Sequence, residues 1–152
     1  MVISFERVNP QNLSDYTLLE NDTLAQYMSR TRPNNYSEKT VSSLFWMYIC
    51  LNFERIGVVW LEKEKEESTI ATLGIFITND VNTRKGVGQT AIEDAIKQAG
   101  VQMRFTQIEL RVRANNERAI GCYKKCGFIE INRFIKNLAD ERVETITMCR
   151  NV

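Results

Sequence analysis

Histidine is absent from the sequence, and cysteine and proline are scarce, with four and two residues among 152. Without histidine, neither an imidazole general base nor the usual cysteine–histidine zinc site can form. The cysteines contain no CxxC pair and are too few for a disulfide-stapled scaffold. Cys122 and Cys126 lie one helical turn apart, which leaves a metal or redox pair open, but packing is the favoured interpretation. We therefore predict reduced core thiols and no bound metal.

The sequence also lacks a charge excess and a long hydrophobic run. Its 20 basic and 19 acidic residues leave a net charge of +1, so no basic field for nucleic acid is expected and an anionic ligand must be held locally. The longest apolar stretch, 44–51, is far too short to cross a bilayer. Charged Glu6 and Arg7 follow too soon for a signal peptide to form its apolar core. These features predict a cytoplasmic protein with neither nucleic acid nor membrane as a partner.

Apolar residues are plentiful enough for one core, since 43% of the sequence is hydrophobic. No repeat, low-complexity run or linker divides the chain, so we expect a single domain over residues 1–152. Apolar spacing with a period of 2 predicts strands, and spacing with a period of 3.6 predicts helices. On this basis strands are expected at 2–7, 46–53, 56–63, 69–78, 108–114, 128–136 and 142–150, and helices within 13–30, at 89–99 and at 116–126.

The connections between these segments predict the fold class. We expect Glu54 and Arg55 to form a hairpin turn, Gly100 to cap a helix, and the alternating charges of 62–67 to form an exposed turn. The strand, helix and strand from 69 to 114 predict a right-handed crossover between parallel strands, and the hairpins make other pairs antiparallel. The expected fold is α/β: a mixed, mostly antiparallel sheet of six or seven strands, with helices on both faces and one parallel crossover.

A glycine-containing loop lies directly before the clearest predicted helix and reads Arg84-Lys85-Gly86-Val87-Gly88-Gln89-Thr90. Glycine lets the backbone turn tightly, and the unpaired N–H groups of a helix N-terminus attract anions, so the loop could hold a pyrophosphate. An ordinary turn is an equally good interpretation of the loop alone. The loop lacks the Gly-Lys-Ser/Thr of a P-loop. A dinucleotide fingerprint stays open, since Ala91 stands where its last Gly or Ala is expected, but only one parallel crossover is predicted.

A second pattern follows one helix and one strand later, in residues 110–128. After the predicted strand come Asn-x-x-Ala and Tyr-x-Lys-x-Gly-Phe, with six positions in register: Asn116, Ala119, Tyr123, Lys125, Gly127 and Phe128. Together with the glycine loop, this order resembles the GNAT superfamily of N-acetyltransferases from roughly residue 73 to residue 128. The flanking strands extend the resemblance more loosely to nearly the whole chain.

The resemblance implies an N-acetyltransferase with acetyl-CoA as co-substrate and a primary amine, on a small molecule or a protein, as acceptor. It also implies that a homodimer can form. The backbone of Phe76, Ile77 and Thr78 would bind the pantetheine arm as an added strand would. The cofactor contacts implied elsewhere are the amides from Arg84 through Lys85, Gly86, Val87 and Gly88 to Gln89, the Thr90 hydroxyl, Asn116, Tyr123 and Lys125.

One position departs from the family pattern. Three residues before the first loop glycine the family usually has Gln or Arg, whereas this chain has Thr83, with Arg84 one place later. The link from the preceding strand through residues 79–82 is also long. The sequence therefore does not determine which backbone groups of the strand face the cofactor. A cradle of backbone amides, however, does not depend on side-chain identity.

The same resemblance places the Tyr123 hydroxyl near the thioester sulfur. A phenol with an ordinary pKa of about 10 is protonated at neutral pH, so it could donate a proton to the leaving thiolate. The general base is left open. Glu54, Glu62 and Glu109 are each weak candidates, and a chain of water molecules is another.

The acceptor is expected in a cleft between the N-terminal helices and the sheet, where aromatic residues could line it: Tyr27, Tyr36, Phe45, Trp46 and Tyr48. Packing of Trp46 and Tyr48 against helices is at least as good an interpretation. Two other functions stay open. One is a non-catalytic acyl-CoA-binding regulatory module, and the other is a nucleotide-binding domain that uses the glycine loop for a different phosphate.

Overall fold

Seven strands form one sheet in this computed structural model, which describes residues 2–21, 28, 30–78, 86–139 and 141–152. The strands are β1 (Ile3–Arg7), β2 (Leu44–Leu51), β3 (Glu54–Glu62), β4 (Ile70–Ile77), β5 (Gln107–Arg113), β6 (Ile129–Leu138) and β7 (Glu141–Asn151). The helices are α1 (Leu13–Glu20), α2 (Val87–Gln102) and α3 (Glu117–Lys125), and a short 3-10 helix covers Tyr36–Glu38.

The order of the strands across the sheet is β1-β2-β3-β4-β5-β7-β6. Every neighbouring pair is antiparallel except β4 and β5, which are parallel and are joined through α2. Pairing between β4 and β5 is limited to residues 70–72 and 107–109. Beyond this point the two strands separate. The expected mixed sheet with one parallel crossover is confirmed, and its centre contains a gap.

Alternation along the strands sends apolar side chains to both faces of the sheet. On one face, which we call the α2 face, Ile108, Leu110 and Val112 pack with residues of α2 and α3. On the opposite face, the α1 face, Tyr16 of α1 packs with Trp60 and other large side chains of the central strands. Helices therefore cover both faces, as predicted.

Two predicted element ends are wrong. The hairpin between β2 and β3 turns at Asn52 and Phe53, which both have positive φ, and not at Glu54 and Arg55. Two consecutive residues with positive φ are typical of a two-residue hairpin turn whose twist matches that of the flanking strands. Gly100 does not cap α2, because the helix continues to Gln102. The Gln102 amide donates to the carbonyls of residues 41 and 44 at 2.8 and 3.0 Å, which holds the last turn against the loop before β2.

The charge run 62–67 is only partly the exposed turn that we expected. Glu62 and Lys63 are buried, at 5% and 2% exposure. The Lys63 ammonium donates to the Arg104 carbonyl at 2.9 Å. The remainder of the run, 64–67, is exposed. No helix within the described residues has the length and apolarity needed to cross a membrane.

Candidate active site

The separation of β4 from β5 opens a cavity of about 820 Å³. Its walls come from β4, β5, the N-terminal ends of α2 and α3, and residues of β3, β6 and β7 on the α1 face. A cavity of this size is typical of a small-molecule site, and a break in a sheet is a place where backbone groups are left to bind a ligand. The cavity is therefore the candidate active site.

The backbone of β4 presents alternate residues to this gap. The Thr78 amide and hydroxyl both donate to the Ile56 carbonyl, at 2.7 and 2.9 Å, so the backbone of Thr78 faces β3. Successive residues of a strand direct their N–H and C=O groups to opposite sides. Ile77, Ile75 and Leu73 therefore direct theirs toward the gap, and Phe76 directs its own toward β3. Of the three predicted backbone contacts, only Ile77 is oriented for an added strand.

The glycine loop ends at the N-terminus of α2. Gly86 has a φ of 74°, a left-handed conformation that glycine adopts without strain, and its carbonyl accepts the first helical hydrogen bond, from Thr90, at 3.1 Å. The N–H groups of the first helical turn have no partner within the helix and carry partial positive charge. No atom of the described residues lies within 4 Å of a Cβ built on Gly86.

Gly88 brings α2 and α3 together. A Cβ at this position would lie 3.3 Å from the Cys122 sulfur and 3.7 Å from the end of the Ile77 side chain. Cys122 is half-buried and Cys126 is buried, both without a disulfide. Burial, reinforced by the Cys122 thiol, raises the pKa of Cys126 to about 12. The packing interpretation of these thiols fits their positions.

Asn116 and Tyr123 lie toward opposite ends of α3. Asn116 is the N-cap, and its side-chain oxygen accepts from the Ala119 amide at 3.3 Å. Tyr123 is 8% exposed, and its ring packs edge-on against Phe128 with the centroids 6.0 Å apart. Burial, with smaller contributions from the neighbouring thiols of Cys122 and Cys126, raises the pKa of Tyr123 above its ordinary value. The phenol therefore stays protonated at neutral pH.

The structure brings most of the predicted cofactor residues to one end of the cavity. Six residues line it: Phe76, Ile77, Thr78, Gly88, Asn116 and Tyr123. Others lie in the same helices without lining it: Gly86 at the N-cap of α2, Val87, Gln89 and Thr90 in its first turn, and Lys125 at the exposed end of α3. Arg84, Lys85 and the departure at Thr83 lie outside the described residues.

The aromatic residues predicted for the acceptor cleft are placed elsewhere. Trp46 donates to the Tyr16 hydroxyl at 3.1 Å, and the Tyr48 hydroxyl donates to the Asn12 carbonyl at 2.6 Å, so both belong to the α1-face core with their polar atoms satisfied. Phe45 is buried on the α2 face. Tyr36 packs against Trp46 and does not line the cavity. Tyr27 lies outside the described residues.

The carboxylates considered as general base are also separate from the cavity lining. Glu62 accepts from the Arg30 guanidinium at 2.5 Å, the Lys39 ammonium at 3.2 Å and the Asn34 amide at 2.8 Å, so it has a structural role. Glu54 is exposed beside the hairpin turn, and Glu109 is half-buried outside the lining. No base is assigned.

Sequence reasoning missed the α1-face wall of the cavity. This wall contains Trp60 on β3, Arg111 and Arg113 on β5, Lys136 on β6 and Thr145 on β7. The alternation of residues 108–114 did indicate that both arginines share a face. It gave no sign that this face borders a cavity, because that depends on the order of strands that are distant in sequence.

Comparisons with known proteins agree with this geometry. The family model for the acetyltransferase (GNAT) family matches residues 11–128. The structure of spermidine N-acetyltransferase from Vibrio cholerae, in complex with CoA and spermine, matches with a TM-score of 0.78 at 18% identity, over 98% of this chain and 95% of that one.

Two further solved structures share the fold. Aminoglycoside acetyltransferase AAC(6')-Ib in complex with coenzyme A matches with a TM-score of 0.73 at 17% identity, over 99% of this chain and 95% of that one. A protein provisionally assigned as a phosphinothricin N-acetyltransferase matches with a TM-score of 0.78 at 17% identity, over 99% and 98%. No curated protein sequence matches the chain. The family match covers most of the sequence, and the chain therefore belongs to the GNAT acetyltransferase family and is an acyltransferase.

Proposed function

We propose that the chain acts as a single domain over residues 1–152 that transfers the acetyl group of acetyl-CoA to a primary amine by direct attack on the thioester. The observation that carries this proposal is the cavity between the separated ends of β4 and β5. It reaches from the N-terminus of α2 on one face to polar side chains on the other, and Tyr123 lies on its wall. Such a passage suits two substrates that enter from opposite faces.

The groups on the α2 face fit the cofactor. The backbone of Ile77 and Ile75 is oriented to pair with the two amides of an extended pantetheine arm, as an added strand would. The N-terminus of α2 offers unpaired amides to a pyrophosphate, and the left-handed Gly86 begins the helix there. The structural neighbours described above include two that are in complex with CoA.

Tyr123 would act on the leaving group. The amine nitrogen bonds to the acetyl carbon, the carbon–sulfur bond breaks, and the thiolate takes a proton from the phenol. The nitrogen gives its surplus proton to solvent and the Tyr123 phenolate takes a proton back from solvent, so that the neutral amide and the free thiol are the products. Burial raises the pKa of Tyr123, so the phenol carries its proton at neutral pH. The amine must be neutral to attack, and since no carboxylate is assigned as base, we propose that solvent removes its proton.

Binding and turnover test the proposal separately. The first measurement is a thermal shift with acetyl-CoA, CoA, ATP and NADH, because a ligand present at about 100 times its dissociation constant adds roughly 2.7 kcal/mol of stability. Stabilisation by acetyl-CoA and CoA alone is expected. A preference for ATP or NADH would instead support the nucleotide-binding alternative.

The second measurement is release of free CoA with a panel of amines. Release that depends on the amine is expected from an acetyltransferase. Tight binding of acetyl-CoA with no amine-dependent release would support the non-catalytic regulatory module. A cytoplasmic location and a homodimer stay predictions from the sequence.

A further inference from the structure

The charges around the cavity are strongly unequal. Among the described residues, the basic side chains of Arg111, Arg113 and Lys136 line it without an ion pair, and Glu117 is the carboxylate in the lining. The chain as a whole is almost neutral. The imbalance is therefore local to the cavity, and it favours a ligand with negative charge.

Three of these cations project from the sheet on the α1 face. Ile108, Leu110 and Val112 face α2, so the intervening Arg111 and Arg113 face the opposite way. Arg113 lies directly across from Thr145 in the β5–β7 register, and Lys136 lies across from residue 143, two positions away on the same face. The sheet thus separates this group from the N-terminus of α2, where the proposed pyrophosphate site lies.

The same cations have no carboxylate partner among the described residues. Within that part of the chain, neither Arg111, Arg113 nor Lys136 forms an ion pair. Arg30, the other cation on this side, is already paired with Glu62 and lies over the Trp60 ring at 5.7 Å. Glu109 shares the face but does not line the cavity. The positive charge on this wall is left for a ligand.

Unpartnered polar atoms occur at the same wall. Among the buried side-chain polar atoms of the described residues, three have no hydrogen-bond partner: Trp60 Nε1, Arg113 Nε and Thr145 Oγ1. All three residues line the cavity. The first two atoms can only donate and the third can donate or accept, so the set calls for acceptor oxygens. A buried donor without a partner costs free energy unless a ligand or water supplies one.

We infer that the acceptor is a small amine that carries an anionic group, a carboxylate or a phosphate, which binds to Arg111, Arg113 and Lys136 on the α1 face. This inference rests on the proposed function and names its substrate class. Arginine presents a planar fork of donors that matches a carboxylate or phosphate. The anion would be held there while the amine reaches the thioester through the gap. A polyamine would instead meet repulsion at this wall.

Matched pairs of amines test the substrate class. The first pool contains α-amino acids and phosphoethanolamine, and the second contains the amides of the same amino acids, ethanolamine and spermidine. Acetylated products are measured by mass spectrometry in the presence of acetyl-CoA. The amino-acid amides are less basic than the amino acids and so more neutral at a given pH, which favours the intrinsic reactivity of the amides. A rate at least tenfold higher with the first pool is nevertheless expected.

The products also distinguish the two anions, since acetylated amino acids indicate a carboxylate and acetylated phosphoethanolamine indicates a phosphate. Equal rates, or faster acetylation of the amides or spermidine, would overturn the inference. Acetyl-CoA binding without acetylation of any anionic amine would overturn it too and leave the cofactor assignment intact. Failure to bind acetyl-CoA would remove the proposed function itself.

Charge-removing variants locate the anion. In Arg113→Gln we expect the KM of the anionic amine to rise roughly tenfold or more, because a charged hydrogen bond is lost, while the KM of acetyl-CoA stays the same. Arg111→Gln, at an exposed position, repeats the test without risk to folding. Lys97→Gln on α2 removes the same charge from an exposed site outside the cavity and serves as control. A rise in the KM of acetyl-CoA instead would assign these cations to the cofactor.

Discussion

The two faces of the sheet meet at one cavity but bring different kinds of group to it. The α2 face contributes mainly backbone: the open edge of β4 and the amides at the start of α2. The α1 face contributes side chains, above all Arg111 and Arg113. Backbone groups are the same whatever the sequence, whereas side chains are not. This difference is consistent with a fold that is shared by structures only 17–18% identical to this chain.

Removal of the Tyr123 hydroxyl should give the largest effect. In Tyr123→Phe we expect kcat to fall about 100-fold or more, which is the usual contribution of a general acid, with little change in acetyl-CoA affinity. The aromatic ring still packs against Phe128, so folding is preserved. Tyr48→Phe is the matched control, since it removes a buried hydroxyl on the α1 face that lies outside the cavity. Equal kcat for wild type and Tyr123→Phe would end the acid assignment.

A methyl group at Gly74 should disrupt the α1 face. Its Cβ would lie 2.1 Å from the ring of Trp60, which is 1% exposed, so the indole would have to shift out of its packed position. We expect Gly74→Ala to lower the free energy of unfolding by about 3 kcal/mol, the upper end of the usual cost of overpacking. Chemical denaturation measures it.

Gly100→Ala provides the control for that change. Gly100 lies within α2, and no atom of the described part of the chain lies within 4 Å of its Cβ position, so alanine should stabilise the helix by up to about 1 kcal/mol. If both variants are equally stable, Trp60 does not pack across Gly74 as described, and the cavity wall that depends on it must be reconsidered.

A carboxylate at the start of α2 tests the other face. In Gly88→Glu we expect acetyl-CoA to bind about tenfold more weakly, equivalent to about 1.4 kcal/mol, because a bulky negative side chain enters the cavity beside Cys122 and Ile77, next to the amides proposed for the pyrophosphate. Gly100→Glu carries the same substitution at the far end of the helix and should leave affinity unchanged. Isothermal titration calorimetry gives both values. Unchanged affinity in Gly88→Glu would place the phosphates elsewhere.

The α2 face could be predicted from the sequence because its groups are close together in the chain. Gly86 and Gly88 lie within three residues at the start of α2, and Asn116 and Tyr123 lie within eight residues at the N-cap and in α3, so two short patterns contain these candidate residues. The α1 face could not be predicted. Trp60, Arg113 and the residues beside them come from four strands, and only the order β3-β4-β5-β7-β6 brings these strands together.

The parts of the fold that were predicted wrongly also depend on residues that are distant in sequence or on an uncommon backbone conformation. Phe53 in a left-handed turn is an uncommon conformation for a bulky residue, so no turn signal marked it. Burial of Glu62 depends on Arg30 and Lys39, which are distant in sequence and supply its ion pairs. Local propensity therefore placed most elements correctly, while turns and buried charges required tertiary contacts.

The smallest effect should come from alkaline pH. Burial raises the pKa of Tyr123 above its ordinary value of about 10, so the acid form is complete at lower pH and is lost only as pH rises through the raised value. The acceptor amine has the opposite requirement, since it becomes reactive as it loses a proton. The rate should therefore rise with pH toward the pKa of the amine and show no descending limb below pH 10, as a kcat profile from about pH 6 to 10 would measure. A descending limb in this range that disappears in Tyr123→Phe would mean that the phenol ionises early, and that the α2 face is wetter at Tyr123 than its 8% exposure indicates.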